Sequence, residues 1–112
     1  MWDKKFSGEV SFAQFELAWT NLGGTCKKFD ESPNDASRIH PTQKPVKLYQ
    51  WLLQNYAKPE FKILDTHLGS GSSAIAAHYF GVTEFVGTEL DADYYKACCE
   101  RFENATAQEA LF

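Results

Sequence analysis

The sharpest change in the pattern of apolar and polar positions falls at residues 61–80. Phe61, Ile63 and Leu64 form a short apolar run that ends on an acid, Asp65. Two glycines then flank a serine at Gly69-Ser70-Gly71, and an alanine-rich segment runs from Ser72 to Phe80 and closes on Gly81. This order predicts a strand, a tight turn and a crossover helix, with Ala74–Phe80 as the helix body and Gly81 as its stop: the first half of a β-α-β unit. Glu84 to Leu90, with Phe85 and Val86 inside it, predicts a second, parallel strand that ends near Glu89. Leu90-Asp91 opens a further helix, with Asp91 as N-cap, Asp93 in the first turn and an apolar face of Tyr95, Cys98 and Phe102. That helix is expected to reach about Asn104, with residues 105–112 frayed.

Upstream, Val46, Tyr49, Leu53 and Tyr56 share one broad face with Leu52, which predicts a helix to about Ala57. Pro45 suits its first turn and Pro59 prevents its continuation. Nearer the start, Phe15, Leu17 and Trp19 alternate with Glu16 and Ala18, so a strand is expected within Val10–Thr20. Asn21–Gly24 reads as a turn, Cys26–Phe29 as a short second strand, and Asp30–Ile39 as a loop. The fold class is therefore α/β. There is no internal repeat and no low-complexity tract.

The candidate chemistry sits on the glycine turn. Glycines let the backbone approach a ligand, and the helix start offers N–H donors. Glu89, 18 residues after Gly71, suits a grip on two ribose hydroxyls. Gly69 to Ala74 fits the loose G-x-G-x-x-G/A dinucleotide pattern, but Asp65 argues against a dinucleotide, because its carboxylate would face a pyrophosphate with like charge. Two unit charges ~4 Å apart interact by ~4 kcal/mol at an effective dielectric of ~20, so the sign decides. The same carboxylate favours S-adenosylmethionine, which carries an ammonium, a sulfonium and no phosphate. The plainer role for Asp65 is a cap on the turn. A Walker A loop is excluded, since no Gly-Lys-Ser/Thr follows the glycines.

Length and charge narrow the setting. A chain of 112 residues supports one domain and buries roughly two-thirds of its unfolded surface. No apolar run approaches the ~20 residues of a membrane span, and no basic-then-apolar leader opens the chain, so a cytoplasmic protein with no membrane partner is expected. Cys26, Cys98 and Cys99 are odd in number and suit reduced thiols. Neither they nor His40, His67 and His78 have metal-ligand spacing. Residues 1–58 hold eight Lys/Arg against six Asp/Glu, and residues 59–112 hold three against nine. The basic excess thus precedes the ligand loop; it could touch phosphate, although ordinary solvated surface accounts for it as well.

Three segments together resemble a known family. These are His40-Pro41-Thr42-Gln43-Lys44-Pro45, then Asp65-x-x-x-Gly69-Ser70-Gly71-Ser72-Ser73, then Gly87-Thr88-Glu89-Leu90-Asp91-x-x-Tyr94. They are similar to the C-terminal part of DNA amino-methyltransferases, the S-adenosylmethionine-dependent enzymes that methylate an exocyclic amino group of adenine or cytosine. The likeness is close over residues 38–103 and looser over the first 30. It implies a partial Rossmann-like fold of three α-β-α layers with an incomplete sheet. Residues 1–30 would be late strands of the catalytic half, 31–39 a linker, and 40–112 the cofactor-binding part. It further implies that Thr42 and Lys44 lie beside the methionine moiety. Asp65 and the Gly69–Ser73 loop, including Gly71 and Ser72, would hold the amino-acid end. Glu89 would bind the ribose hydroxyls, with Leu90 or Asp91 bordering the adenine. His67 stands where the family usually has the ring of Asp-Pro-Phe, and could stack on the cofactor.

One family motif is absent. The catalytic Asp/Asn/Ser-Pro-Pro-aromatic segment needs adjacent prolines, and Pro33, Pro41, Pro45 and Pro59 are all separate. In the family it precedes the Trp2-Asp3-Lys4 segment, so it would lie before Met1, and a large ring at position 2 also suits a longer protein. The expected function is the S-adenosylmethionine-binding portion of a site-specific DNA methyltransferase acting on double-stranded DNA, adenine being favoured over cytosine. The alternative is a catalytically inactive cofactor-binding module, split-enzyme subunit or truncated gene remnant, of phage or restriction-modification origin. The 112-residue chain alone is expected to be inactive. The edge at Ile63–Asp65 would be open, so self-association or a partner chain supplying the catalytic motif is expected. A dinucleotide oxidoreductase is disfavoured by Asp65.

Overall fold

The computed structural model describes residues 1–3, 15–30 and 43–109. The expected loop at 31–39, the start of the strand expected from Val10, and Thr42 lie outside the described residues. The chain divides into two compact units, Met1–Asn34 and Asp35–Phe112.

In the first unit, β1 (Trp2–Asp3), β2 (Phe15–Glu16) and β3 (Phe29–Asp30) form a sheet in the order β2-β1-β3. β1 runs antiparallel to β2, pairing Trp2 with Glu16, and parallel to β3, pairing Trp2 with Phe29. The terminal ammonium of Met1 donates to the Lys27 carbonyl at 2.7 Å, and the Phe29 N–H donates to the Met1 carbonyl at 2.7 Å. Trp2 is buried. Lys28 bridges Asp3 at 3.1 Å and Asp30 at 3.3 Å. Those hydrogen bonds, Asp3 first, raise its pKa. The strand expected through Trp19 is corrected: pairing stops at Glu16, and Leu17 and Trp19 are exposed. Alternation predicts a strand only where a partner takes up the backbone groups, and β1 offers two residues. The second short strand likewise lies at Phe29–Asp30 and not from Cys26.

In the second unit, α1 (Val46–Tyr56) starts after Pro45 in extended conformation and stops at Ala57, whose N–H still reaches the Leu53 carbonyl at 2.9 Å. Then come β4 (Lys62–Asp65), α2 (Ser72–Phe80), β5 (Glu84–Gly87) and α3 (Ala92–Glu109). β4 and β5 pair in parallel with α2 as the crossover, in the register Lys62–Glu84, Ile63–Phe85, Leu64–Val86 and Asp65–Gly87.

Alternation along these strands divides their faces. Ile63 and Phe85 pack against a core of Leu53, Ala76 and Ala77, joined by Val46, Tyr49, Phe80 and Val82. The two alanines carry no bulk, so α1 can lie close against α2. Leu64 and Val86, on the other face, are exposed. Among the described residues of this unit, β4 pairs with β5 alone.

Two boundaries differ from the sequence reading. β5 ends at Gly87, not Leu90, because Thr88 turns its backbone to the loop after β4. Its N–H donates to the Asp65 carbonyl at 2.9 Å, and its carbonyl accepts from the Leu68 N–H at 2.8 Å. α3 runs to Glu109, past the expected Asn104. The Tyr79 hydroxyl ties it to α2 by donating to the Ala105 carbonyl at 2.8 Å. Asp91 caps the start of α3, its Oδ1 accepting from the N–H groups of Asp93 at 2.9 Å and Tyr94 at 3.0 Å. Among the described residues no helix is long and apolar enough to cross a membrane.

Candidate functional site

A cavity of about 440 Å³ opens at the carboxyl ends of β4 and β5. The segment entering α1 lines it with Gln43, Lys44 and Tyr49; the loop after β4 contributes Asp65 and His67 to Ser70; Ser72 comes from the first turn of α2 and Glu89 from beyond β5.

The loop is held from inside. Asp65 Oδ1 accepts from the His67 N–H at 2.9 Å, and Oδ2 accepts from the Ser73 hydroxyl at 2.5 Å. Asp65 thus caps the turn, the plainer of its two roles. A carboxylate has about four acceptor positions, so capping and lining the cavity are compatible. The His67 ring Nδ1 lies 2.9 Å from the Thr66 hydroxyl.

The turn closes with the Gly71 N–H donating to the Leu68 carbonyl at 3.0 Å. Gly69 and Gly71 have φ of 58° and 84°, in the left-handed region that disfavours side chains. Gly71 is also the N-cap of α2 and is pressed against α3: a Cβ there would lie 2.5 Å from Cys98 Sγ.

Glu89 closes the far side, its Oε2 accepting from the Gly69 N–H at 3.3 Å. Three further backbone-anchored bonds span the same gap: the Thr88 N–H to the Asp65 carbonyl, the Leu68 N–H to the Thr88 carbonyl, and the Thr88 hydroxyl to the Thr66 carbonyl at 3.0 Å. The carboxylates at the ends of two different strands are therefore brought to one opening.

Of the residues expected in the site, Lys44, Asp65, His67, Gly69, Ser72 and Glu89 line the cavity. Gly71 and Ser73 are buried behind the lining and shape the turn. Leu90 is fully exposed and not part of the lining. Thr42 is outside the described residues. Sequence reasoning missed Gln43, Tyr49 and Leu68 as lining residues, while Ser70 lies within the Gly69–Ser73 loop expected there. Gln43, a buried polar side chain inside the quoted H-P-T-Q-K-P segment, was within reach of that reading. Tyr49 was visible only as part of the apolar face of α1.

Behind the loop, Cys98 is buried, and burial pushes its thiol pKa up, with Cys99 adding to the shift and Arg101 opposing it. Among the described residues no cluster of His, Cys, Asp or Glu is arranged to hold a metal ion.

Residues 3–100 match the DNA methylase family model of the N6/N4 type. The chain is 37% identical over 75 residues to YubD of Escherichia coli (strain K12), named as a methylase, a match taking in 67% of this chain and 32% of YubD. It is 31% identical over 90 residues to the type II methyltransferase M2.DpnII of Streptococcus pneumoniae, covering 80% of this chain and 31% of that protein. The chain thus spans about a third of the length of these curated relatives. Among solved structures, M1.HpyAVI in complex with S-adenosylmethionine aligns with a TM-score of 0.61 at 24% identity, over 76% of this chain and 42% of that one. TTHA0409 of Thermus thermophilus, complexed with S-adenosyl-L-methionine, aligns with a TM-score of 0.62 at 19% identity, over 93% of this chain and 51% of that one. At these identities the likeness shows the fold, the partial Rossmann-like α/β fold of S-adenosylmethionine-dependent methyltransferases.

Proposed function

The chain belongs to the DNA methylase family, and on that premise we propose that its second unit binds S-adenosylmethionine as the cofactor part of an enzyme methylating an exocyclic amino group, adenine before cytosine, in double-stranded DNA. One observation carries the reading: Asp65 and Glu89 meet across a glycine turn on a single cavity. Its volume lies within the roughly 300–1,000 Å³ of ligand pockets, and its lining suits the cofactor. Asp65 offers negative charge to an ammonium group. Glu89 offers two acceptor oxygens to a pair of ribose hydroxyls. Gly69 leaves space for close approach, and Lys44 stands on the α1 side of the opening. The cofactor supplies a methyl group activated by its positive sulfur. The residues of this chain bind and orient, and orientation is where much of such a rate enhancement originates. The target base must leave the duplex to reach that methyl group.

Calorimetric titration with S-adenosylmethionine tests the proposal. Saturable binding is expected, weakened about tenfold or more by Asp65→Asn, the loss expected when a hydrogen bond to a charged group is removed. Absence of binding at millimolar cofactor, or preferential binding of NADH, would overturn it.

A second reading rests on the separate prolines: Pro33, Pro41, Pro45 and Pro59 cannot form the Pro-Pro pair of the catalytic motif. In it, these residues act as a cofactor module, with the catalytic residues supplied by a different chain. Transfer of tritiated methyl to DNA by the 112-residue chain alone would eliminate this second reading.

A further inference from the structure

Ser70 and Ser72 are buried polar residues at the back of the glycine loop. Buried hydroxyls and carbonyls are costly unless they find partners, and here one partner serves both. Arg101, from the middle of α3, donates through Nη1 to the Ser70 carbonyl at 3.0 Å, to the Ser70 hydroxyl at 3.3 Å and to the Ser72 hydroxyl at 2.9 Å. The two hydroxyls lie 3.2 Å from each other. Arg101 itself does not line the cavity.

We propose that Arg101 is a positioning residue that fixes the conformation of the Gly69–Ser72 loop, and through it the cofactor site. The proposal rests on the cofactor reading above only for its last clause. The physical need is clear from the sequence of the loop. Gly69 and Gly71 both have positive φ, and glycine visits such conformations about as readily as others, so the turn has little intrinsic preference for one shape. Within the loop, the Gly71 N–H bond to Leu68 leaves the Ser70–Gly71 peptide plane held from one side only. The bond from Arg101 to the Ser70 carbonyl holds the other side. Rotation of that plane would break both bonds at once, and with them the placement of the Gly69 N–H that Glu89 accepts. The contact joins residues 31 apart in sequence, so it also couples α3 to the ligand loop.

The test uses the 112-residue chain with Arg101→Met, Arg101→Lys and, as a control for general destabilisation, Leu53→Ala in the core away from the loop. Hydrogen exchange and S-adenosylmethionine titration are read on each. Arg101→Met should speed exchange of the Gly69–Ser73 amides about tenfold or more, leave β4 and β5 amides near wild-type rates, and weaken cofactor binding by a similar factor. Arg101→Lys should recover part of both effects, since an ammonium keeps charge and donors but not the reach or planar geometry. Leu53→Ala should lower the melting temperature without selective exposure of the loop. Loop exchange unchanged in Arg101→Met, or matched by Leu53→Ala, would overturn the proposal. If the wild type binds no cofactor while Arg101→Met still frees the loop, the cofactor reading fails and the loop-fixing role of Arg101 stands.

Discussion

Gly71 and Gly81 offer a matched pair for separating backbone strain from steric exclusion. Both sit at ends of α2 with φ near +80°, 84° and 81°. Alanine at either position bears the left-handed penalty of roughly 1–2 kcal/mol, partly offset by about 0.5 kcal/mol from a less flexible unfolded chain. They differ in surroundings. A Cβ on Gly81 meets nothing within 4 Å, whereas one on Gly71 would lie 2.5 Å from Cys98 Sγ. Overpacking of a filled interior adds about 1–3 kcal/mol. Gly81→Ala should therefore cost about 1 kcal/mol and Gly71→Ala about 2–4 kcal/mol. Cys98→Ala removes the offending sulfur and leaves the nearest remaining neighbours of that Cβ at 3.7 and 3.8 Å, ordinary contact distances. In that background Gly71→Ala should fall to the cost of Gly81→Ala, a coupling of about 1–3 kcal/mol. Urea unfolding followed by helical circular dichroism measures all of these, since α1, α2 and α3 belong to one unit. Equal costs at the two glycines, or additivity of Gly71→Ala with Cys98→Ala, would refute the claim that α3 presses on the turn.

Two further outcomes follow from the same packing. Burial raises the Cys98 thiol pKa, so the unfolded chain ionises first. The stabilisation is complete below the unfolded value of about 8.5 and declines as pH rises through it, by at most about 1.4 kcal/mol per pH unit. Lys28 and Tyr95, whose pKa values are also raised, act in the same direction, so the difference between wild type and Cys98→Ala in melting temperature from pH 7 to 10 reads the Cys98 thiol together with its small effect on Tyr95; parallel curves would contradict its burial. Asp91→Ala removes the acceptor for the Asp93 and Tyr94 N–H groups and should cost about 1 kcal/mol in urea unfolding; no loss would mean that the first turn of α3 needs no cap.

What the sequence made legible was local. Gly81 and Asp91 each act through their own backbone or through neighbours a few residues away, and the helix expected within Ser72–Phe80, with Ala74–Phe80 as its body, is α2 at Ser72–Phe80. What it hid depends on contacts across the fold. Leu17 and Trp19 alternate as a strand does, but a strand needs a neighbour, and pairing with β1 ends at Glu16. Arg101 reads as an ordinary helical cation, and nothing in the spacing of α3 points to Ser70. Cys98 looked like one residue of an apolar stripe, whereas its sulfur sets the space beside Gly71.

The meeting of Asp65 with Glu89 lies between these cases, because it follows from register. Asp65 pairs with Gly87, so Glu89 stands two residues further along, on the same side of an alternating chain. The Thr88 N–H bond to Asp65 and the Leu68 N–H bond to Thr88 carry that alignment past the end of the sheet. A slip of one residue would turn the paired strand over and send one carboxylate to the opposite face. The apolar pairs Ile63–Phe85 and Leu64–Val86 oppose such a slip, since only the present register sets Ile63 and Phe85 together on the helical core. The residues that pack the sheet therefore also aim the two acids, and the site is a consequence of the core's alternation as much as of the glycine turn.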